Sequence, residues 1–456
     1  MHKLSLSAIA LGLMTSACNL APPLGSTSAD VSARFPGKAG GEVSADIAWQ
    51  KFFTDPRLRK LVATALANNR DLRIAALNVE QARAQYGISR AELFPSVGGT
   101  VSAERQRSLG QNGGSSTEED RFDVKVGMVS YELDLFGKIR NRNQSALEDY
   151  FATDAARVAA QISLVAQIAN QYLAERALQE QIALSQQTYD GFNAAYDLMQ
   201  KRFNSGTVSE LELSSMEVQR QTANVDLAAF RQRVGEIQNS LVFLCGGALP
   251  SLPNGRSLDQ ALVADVKAGV SSDLLWRRPD IREAEHQLRA ANANIGVARA
   301  QLFPSVSLTA EGGSASTSLS KLFGSGSGTW LFAPQVDIPI FSAGKNIAGI
   351  KFVETSKQVA VANYEKSIQN GFREVADGLA GRSGLDERIA ATAKLIAAQE
   401  KRTRLATVRY DQGVDSYFEV LNANLDLFNA RQRLIQLRLS RAINSVNLYK
   451  ALGGGW

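Results

Sequence analysis

The 456-residue chain carries 50 lysines and arginines against 45 acidic residues, a net charge of +5 too mild and dispersed to point to nucleic acid. Two histidines and two cysteines leave little from which to build a catalytic constellation, a metal centre or a disulfide framework. A chain of this length would ordinarily suggest two or three domains.

The N-terminus has a short basic start (His2, Lys3), an apolar run Leu4–Met14, and then Thr15-Ser16-Ala17-Cys18. This is the pattern of an export signal over residues 1–17, too short to span a bilayer. A Cys directly after Ser-Ala resembles a bacterial lipobox, in which cleavage leaves Cys18 as the first residue, carrying N-acyl and S-diacylglycerol lipid. The usual Leu three residues earlier is replaced by Thr15, and ordinary cleavage near Ala17 would leave a free thiol instead. Asn19 is not the Asp that holds such lipoproteins at the inner membrane, so the resemblance implies delivery to the outer one. Residues 18–45 are polar and bear Gly, Ser and Pro, as a tether does. The other cysteine, Cys245, reads as a small buried apolar residue.

The segment Phe52-Phe53-Thr54-Asp55-Pro56 opens a helix, with Asp55 as N-cap and Pro56 at its first position. Leu58, Leu61, Val62, Ala65 and Leu66 keep helical spacing. A second helix is predicted from Asp71 to Leu93, stopped by Phe94-Pro95, after which the period changes to two. Val97, Gly99, Val101 and Ala103 alternate with Ser96, Gly98, Thr100, Ser102 and Glu104. Beyond a loop at Leu109–Asp120, Phe122, Val124, Val126 and Met128 alternate with Asp123, Lys125 and Gly127, completing a β-hairpin over about 96–136. Helical tracts follow at Lys138–Phe203 and Val208–Leu244, turned at Asn204-Ser205-Gly206. The apolar series Val158, Ile162, Val165, Ala169, Tyr172 and Leu227, Phe230, Val234, Ile237, Leu241, Leu244 give both tracts coiled-coil rhythm.

The design then recurs. DIREAEHQLRAANANIGVARAQLFP (Asp280 to Pro304) answers DLRIAALNVEQARAQYGISRAELFP (Asp71 to Pro95), with Phe94 and Phe303 separated by 303 − 94 = 209 residues. Arg202-Phe203-Asn204-Ser205-Gly206 answers Arg409-Tyr410-Asp411-Gln412-Gly413, and Leu135-Phe136-Gly137-Lys138 answers Ile340-Phe341 and Gly344-Lys345. Residues 46–250 and 251–456 are therefore two structural repeats of one intertwined body. The second has a β-hairpin over about 305–341 and a helical hairpin over about 345–452, turned at Asp411-Gln412-Gly413. Its last helix carries the seam Leu421, Leu425, Phe428, Gln432, Ile435, Leu439, Ala442, Val446, Tyr449.

Four strands with one apolar and one polar face, the latter bearing Glu104, Asp123, Lys125, Glu311 and Asp337, suit lipid outside and water inside. Four strands cannot close a barrel, and lipid does not tolerate open edges. Other copies must supply the rest, and three copies give twelve strands. His286 reads as a surface histidine. Gly137-Lys138 and Gly344-Lys345 lack the remainder of a phosphate loop and read as hairpin-to-helix connections.

These blocks, with RRPDIREAE at 277–285, ARAQLFPS at 298–305 and the ending LYKALGGGW, resemble the TolC-like outer-membrane efflux channels, specifically the lipoprotein branch that serves RND-type multidrug pumps. The resemblance spans nearly the whole mature chain. It implies a mainly α protein with a membrane β-barrel portion. A homotrimer would join a long antiparallel coiled-coil α-helical barrel to a twelve-strand β-barrel in outer membrane lipid. It also implies a non-enzymatic exit duct, fed by an inner-membrane transporter through a periplasmic adaptor. Carried over by position, a periplasmic gate falls on Phe418, Glu419 and Asn422, with Asp415 nearby. Asn422 stands where an aspartate is frequent, and Phe418 could instead pack in the coiled-coil core. Adaptor contacts fall on Gly206, Thr207, Val208, Gly413 and Val414. A lipid-anchored coiled-coil spacer of the envelope and a type I secretion exit channel are the alternative readings.

Overall fold

The computed structural model describes residues 19–25, 47–108, 116–264 and 277–454; the expected signal peptide and Cys18 lie outside them. The chain order is α1 (Trp49–Phe52), α2 (Pro56–Asn68), α3 (Arg70–Ala91), β1 (Val97–Ser108), β2 (Thr117–Leu133), α4 (Lys138–Asn204) and α5 (Glu210–Leu244). There follow α6 (Pro279–Ala300), β3 (Ser305–Ser316), a 3-10 turn at Leu319–Lys321, β4 (Gly328–Asp337), α7 (Lys345–Asp411) and α8 (Tyr417–Ala451). Corresponding elements of the two halves have equal lengths: 22 residues in α3 and α6, 67 in α4 and α7, 35 in α5 and α8.

Local chemistry sets these boundaries. Asp55 caps α2, its carboxylate accepting from the Arg57 and Leu58 amides, and Pro56 stands at the position that needs no donor. Gly137 (φ 76°) and Gly344 (φ 82°) take the left-handed turn immediately before α4 and α7. Gly206 and Gly413, both at φ 72°, end the same two helices. At each, the next residue's amide reaches back five residues to close the last turn, Thr207 to Arg202 and Val414 to Arg409, both at 2.9 Å.

The chain divides into two compact units, each drawn from both halves of the sequence. One comprises residues 78–153 and 283–365 with the N-terminal segment, and holds the sheet. Its strands run in the antiparallel order β1-β2-β3-β4. A β-bulge lies in β2 between Met128 and Tyr131, with Ser130 at φ 54° and its amide donating to Thr309 Oγ1 at 3.1 Å. The extra residue absorbs a one-residue slip in the alternation, so that Tyr131 and Leu133 stay on the face of Met128. Two expected strand limits shift. β2 begins at Thr117, inside the expected loop, where Glu118, Glu119 and Asp120 pair with Arg107, Gln106 and Arg105. β4 ends at Asp337 instead of reaching Phe341, since Pro339 has no amide to donate.

The other unit comprises residues 47–77, 154–282 and 366–454 among those described. Asp55 is its polar hub: fully buried, it also accepts from the Tyr172 hydroxyl at 2.7 Å and the Arg256 amide at 2.9 Å. Phe52 stacks on Tyr449 with ring centroids 3.9 Å apart. Cys245 is buried beside the Leu61 carbonyl, and burial pushes its thiol up to about 11. The heptad seams are buried at Ile162, Val165, Ala169 and Tyr172, at Leu227 and Leu241, and at Leu421, Ile435, Val446 and Tyr449. Val420, Ala423, Ala430 and Leu437 are buried as well, so α8 covers a broader stripe than one seam.

Candidate channel lining and helix-turn tip

Residues directly paired across antiparallel strands share a face, so the register sorts the sheet. One face carries Thr100, Ser102 and Glu104 opposite Lys125, Asp123 and Arg121, and continues to Glu311 opposite Gly127. Its charges interlock: Arg121 lies 2.8 Å from Asp123, and Lys125 lies 3.8 Å from Asp123 and 3.9 Å from Glu311. The other face carries Val97, Val101, Val126, Trp330, Phe332 and Val336, all exposed. Asp123 is only 7% exposed while Trp330 is 83% exposed. A sheet built for water hides its apolar face; this one leaves that face bare and gathers its ion pairs on the other, as a strand facing lipid outside and water inside must. Leu331 is a large apolar residue on the charged face, opposite Glu311.

The second candidate region is the tip where the helical hairpins turn. Phe192, Met199, Met216, Ala223 and Leu421 are buried together, with Tyr196, Val208, Leu213, Tyr410, Tyr417 and Leu425 packed around them. The Arg220 guanidinium lies 4.0 Å over the Tyr196 ring. Tyr410 meets Tyr417 edge-on at 5.1 Å and accepts a hydrogen bond from Arg202. Burial, with Tyr410 alongside, pushes the Tyr417 hydroxyl up.

The expected gate and adaptor residues cluster at this tip. Tyr417 turns into the core, and its neighbour Phe418 is 62% exposed. Glu419 is exposed and Asn422 half-buried. Asp415 is clamped by Arg409 through two contacts of 2.5 and 2.8 Å, whose hydrogen bonding and charge hold its carboxyl below the usual range. It belongs to the turn itself. Gly206, Thr207, Gly413 and Val414 are exposed, while Val208 packs against the core.

The repeats differ at their caps. Ser209 and Glu212 form a complete capping box at the start of α5. Ser416 and Glu419 have the same spacing at the start of α8, yet no side-chain cap bond forms. Leu211, at the 207-residue offset from Phe418, is also strongly exposed. Sequence reasoning passed over Leu211, although the repeat offset that matches Gly206 to Gly413 identifies it.

His286 departs from the expected surface position. Its Nδ1 lies 2.7 Å from Glu148 Oε2, with the two side chains 15% and 8% exposed. The Phe151 ring covers it at 5.3 Å, and Gln144 donates to the other Glu148 oxygen at 2.8 Å. Helical periodicity around His286 gave no sign of a partner on α4, which is distant in sequence. Beside this pair, burial and then the Glu148 charge raise the Asp149 carboxyl.

Comparison with known proteins bears on both regions. Residues 61–247 and 270–454 match the family described as outer membrane efflux protein, one span in each half. The toluene efflux pump outer membrane protein TtgC of Pseudomonas putida is 44% identical, covering 100% of this chain and 96% of the relative. The cation efflux system protein CusC of Escherichia coli is 37% identical over 98% of this chain and 97% of its own. Among solved structures, the open state of the Neisseria gonorrhoeae MtrE outer membrane channel is similar with a TM-score of 0.88 and 37% identity, covering 96% of this chain and 98% of that one. With both repeats matched and relatives aligned end to end, the chain belongs to the outer membrane efflux protein family.

Proposed function

We propose that three copies of this chain close into one outer-membrane conduit, a twelve-strand barrel continued by a helical tunnel. It acts as the passive exit duct for small molecules that an inner-membrane RND-type transporter delivers through a periplasmic adaptor. The observation that carries this reading is the polarity of the sheet, with interlocked charges on one face and Trp330, Phe332 and Val336 exposed on the other. Its edges add to the case: β1 and β4 each pair on one side only, and unpaired backbone is untenable in hydrocarbon. The repeat points the same way. α6 buries Ile281, Ala284, Leu288 and Ile295, whereas its counterpart α3 leaves Ile74, Leu77 and Ile88 exposed for a second copy to cover. The relatives are named for cargoes as unlike as toluene and cations, which fits a duct whose walls select little.

Within this reading Phe418 rings, with Glu419 and Asn422 beside them, narrow the periplasmic end, closing it by excluding water. Gly206, Thr207, Gly413 and Val414 present backbone and side chains to the adaptor, and Val208, packed against the core, holds the first turn in place. Cys18 carries the lipid. Planar-bilayer recording on purified protein tests the proposal: stepwise ionic conductance is expected. A trimer that inserts and stays silent under every voltage, as a spacer would, refutes it.

A further inference from the structure

The segment directly after Cys18 is seated in a built site. Asn19 Oδ1 accepts from Asn141 Nδ2 at 2.9 Å and from the Ala21 amide at 3.0 Å. The Leu20 carbonyl accepts from Arg299 at 3.5 Å, and Arg299 is itself held by Glu354 at 3.0 Å. The Pro22 carbonyl accepts from Asn292 at 2.9 Å. Asn141 is 4% exposed and also donates to the Gly137 carbonyl at 2.7 Å, which fixes its amide. Gly296 forms the floor: a Cβ there would come within 2.5 Å of Asn141 Nδ2 and 3.0 Å of the Ala21 nitrogen.

The site joins Asn141 of the first repeat to Asn292, Gly296 and Arg299 of the second, and the counterpart positions differ. Gly87, the counterpart of Gly296, is exposed with nothing within 4 Å of an added Cβ. Arg83 stands where Asn292 does, and Ala348 where Asn141 does. Helix geometry therefore does not account for the two asparagines, since the sister helices form with Arg83 and Ala348 in their places. Gly87 and Arg90 repeat Gly296 and Arg299 with no peptide described against them. What distinguishes the asparagine-bearing set is that it has a peptide to hold. Beyond Pro22 the contacts stop: Pro23, Leu24 and Gly25 are exposed, and Gly25 has open space around it.

We propose that Asn141, Asn292, Gly296 and Arg299 form a dedicated cradle for Asn19–Pro22, which fixes the point where the lipid-bearing end leaves the folded body. Cys18 is one peptide bond from Asn19, so its Cα lies about 3.8 Å from a residue held by side chains. The cradle sets the height of the anchor against the sheet-bearing unit, so that acyl chains and apolar strands meet the membrane in register. This function rests on the acylation of Cys18; the cradle itself does not.

Single cysteines at Ala21 and Leu24 in the full-length protein, reacted with a maleimide, test the cradle. The buried Cys245 thiol contributes no background. Labelling at Ala21→Cys is expected at least tenfold slower than at Leu24→Cys, rising to that rate in Asn292→Ala or Asn141→Ala; equal rates in the otherwise unaltered chain overturn the cradle. For the anchor, Ser-Gly-Ser-Gly inserted between Cys18 and Asn19 leaves the cradle intact and moves the lipid by up to roughly 13 Å. The same insert after Gly25 lengthens the chain on the far side of the cradle and leaves the spacing from Cys18 to Asn19 unchanged. The first insert is expected to cut the yield of membrane-inserted, conducting trimer several-fold, and the second to leave it unchanged. Equal yields from both inserts, in protein shown by palmitate labelling to be acylated, overturn the positioning role. Absence of palmitate from Cys18 overturns the anchor reading, and the maleimide rates, then measured with Cys18→Ser to remove its free thiol, still decide the cradle.

Discussion

Replacing Phe418 by alanine isolates the proposed closure from the folding of the chain. Phe418 is 62% exposed and takes no part in the buried tip cluster, so truncating it should leave each hairpin intact. A phenylalanine has on the order of 200 Å² to bury, leaving about 120 Å² of Phe418 uncovered in one chain. If three rings meeting on an axis cover half of that, each gains ~1.5 kcal/mol at about 25 cal/mol per Å². Three together give ~4–5 kcal/mol, a bias toward the closed state of about three powers of ten. Phe418→Ala should therefore raise open probability or single-channel conductance of the purified trimer in planar bilayers. Tyr417→Ala, which removes a ring packed on Tyr410, should instead loosen the tip and lower its resistance to proteolysis. Unchanged conductance and open probability in Phe418→Ala would remove this ring from the gate.

Asp55→Ala should destabilise the helical unit by about 3–4 kcal/mol, combining a lost cap with the buried Tyr172 hydroxyl and the part-buried Arg256 amide left without an acceptor. Adding Tyr172→Phe should recover about 1–2 kcal/mol of that by deleting one orphaned hydroxyl, a coupling visible in the thermal midpoints of a double-mutant cycle. Ser209→Ala should cost about 1 kcal/mol locally and Ser416→Ala close to nothing, because only the first serine caps its helix; hydrogen exchange at the two turns distinguishes them. The Asp415 carboxyl titrates below its ordinary value in the folded tip, so its contribution is present above that ordinary value. It is lost as pH falls through the lowered one. Tip mobility should therefore increase on acidification across that window, and Asp415→Asn should abolish the pH dependence.

Much of this architecture was legible because it rests on local rules. Helix limits followed from Asp55-Pro56, from the Phe-Pro stops, and from glycines whose positive φ admits little else. The sheet's two faces followed from period-two alternation, but only as far as Met128. There a bulge displaces the phase by one, and no sequence count reveals that Ser130 will take a left-handed turn to preserve the face. The tip illustrates the same limit. A step of four back from Leu421 lands on Tyr417 and a step of three lands on Phe418, and both obey the coiled-coil rhythm. Which aromatic turns inward is decided by Tyr410 on the preceding helix. His286 was misread for a related reason: its environment is supplied by Glu148 and Phe151, which no period along α6 can indicate.

A duplicated chain also offers an internal control. Where both copies face the same demand, they keep the same solution, as at Gly206 and Gly413, both at φ 72°. Where their contacts diverge, backbone necessity is excluded as the cause, because the sister element folds without the divergent contact. Ser209 is spent on a capping box that Ser416 does not form; Gly296 is filled by Asn141 and the N-terminal peptide while Gly87 stands open; α6 is buried where α3 is bare. On the proposed reading, each divergence falls where one copy meets something the other does not: the proposed gate, the N-terminal peptide, or another protomer. A bundle that merely spaced two layers of an envelope would place no such unequal demands on its halves. The proposed threefold tube allows them on every protomer, because its symmetry relates copies of the chain and not the two hairpins within one.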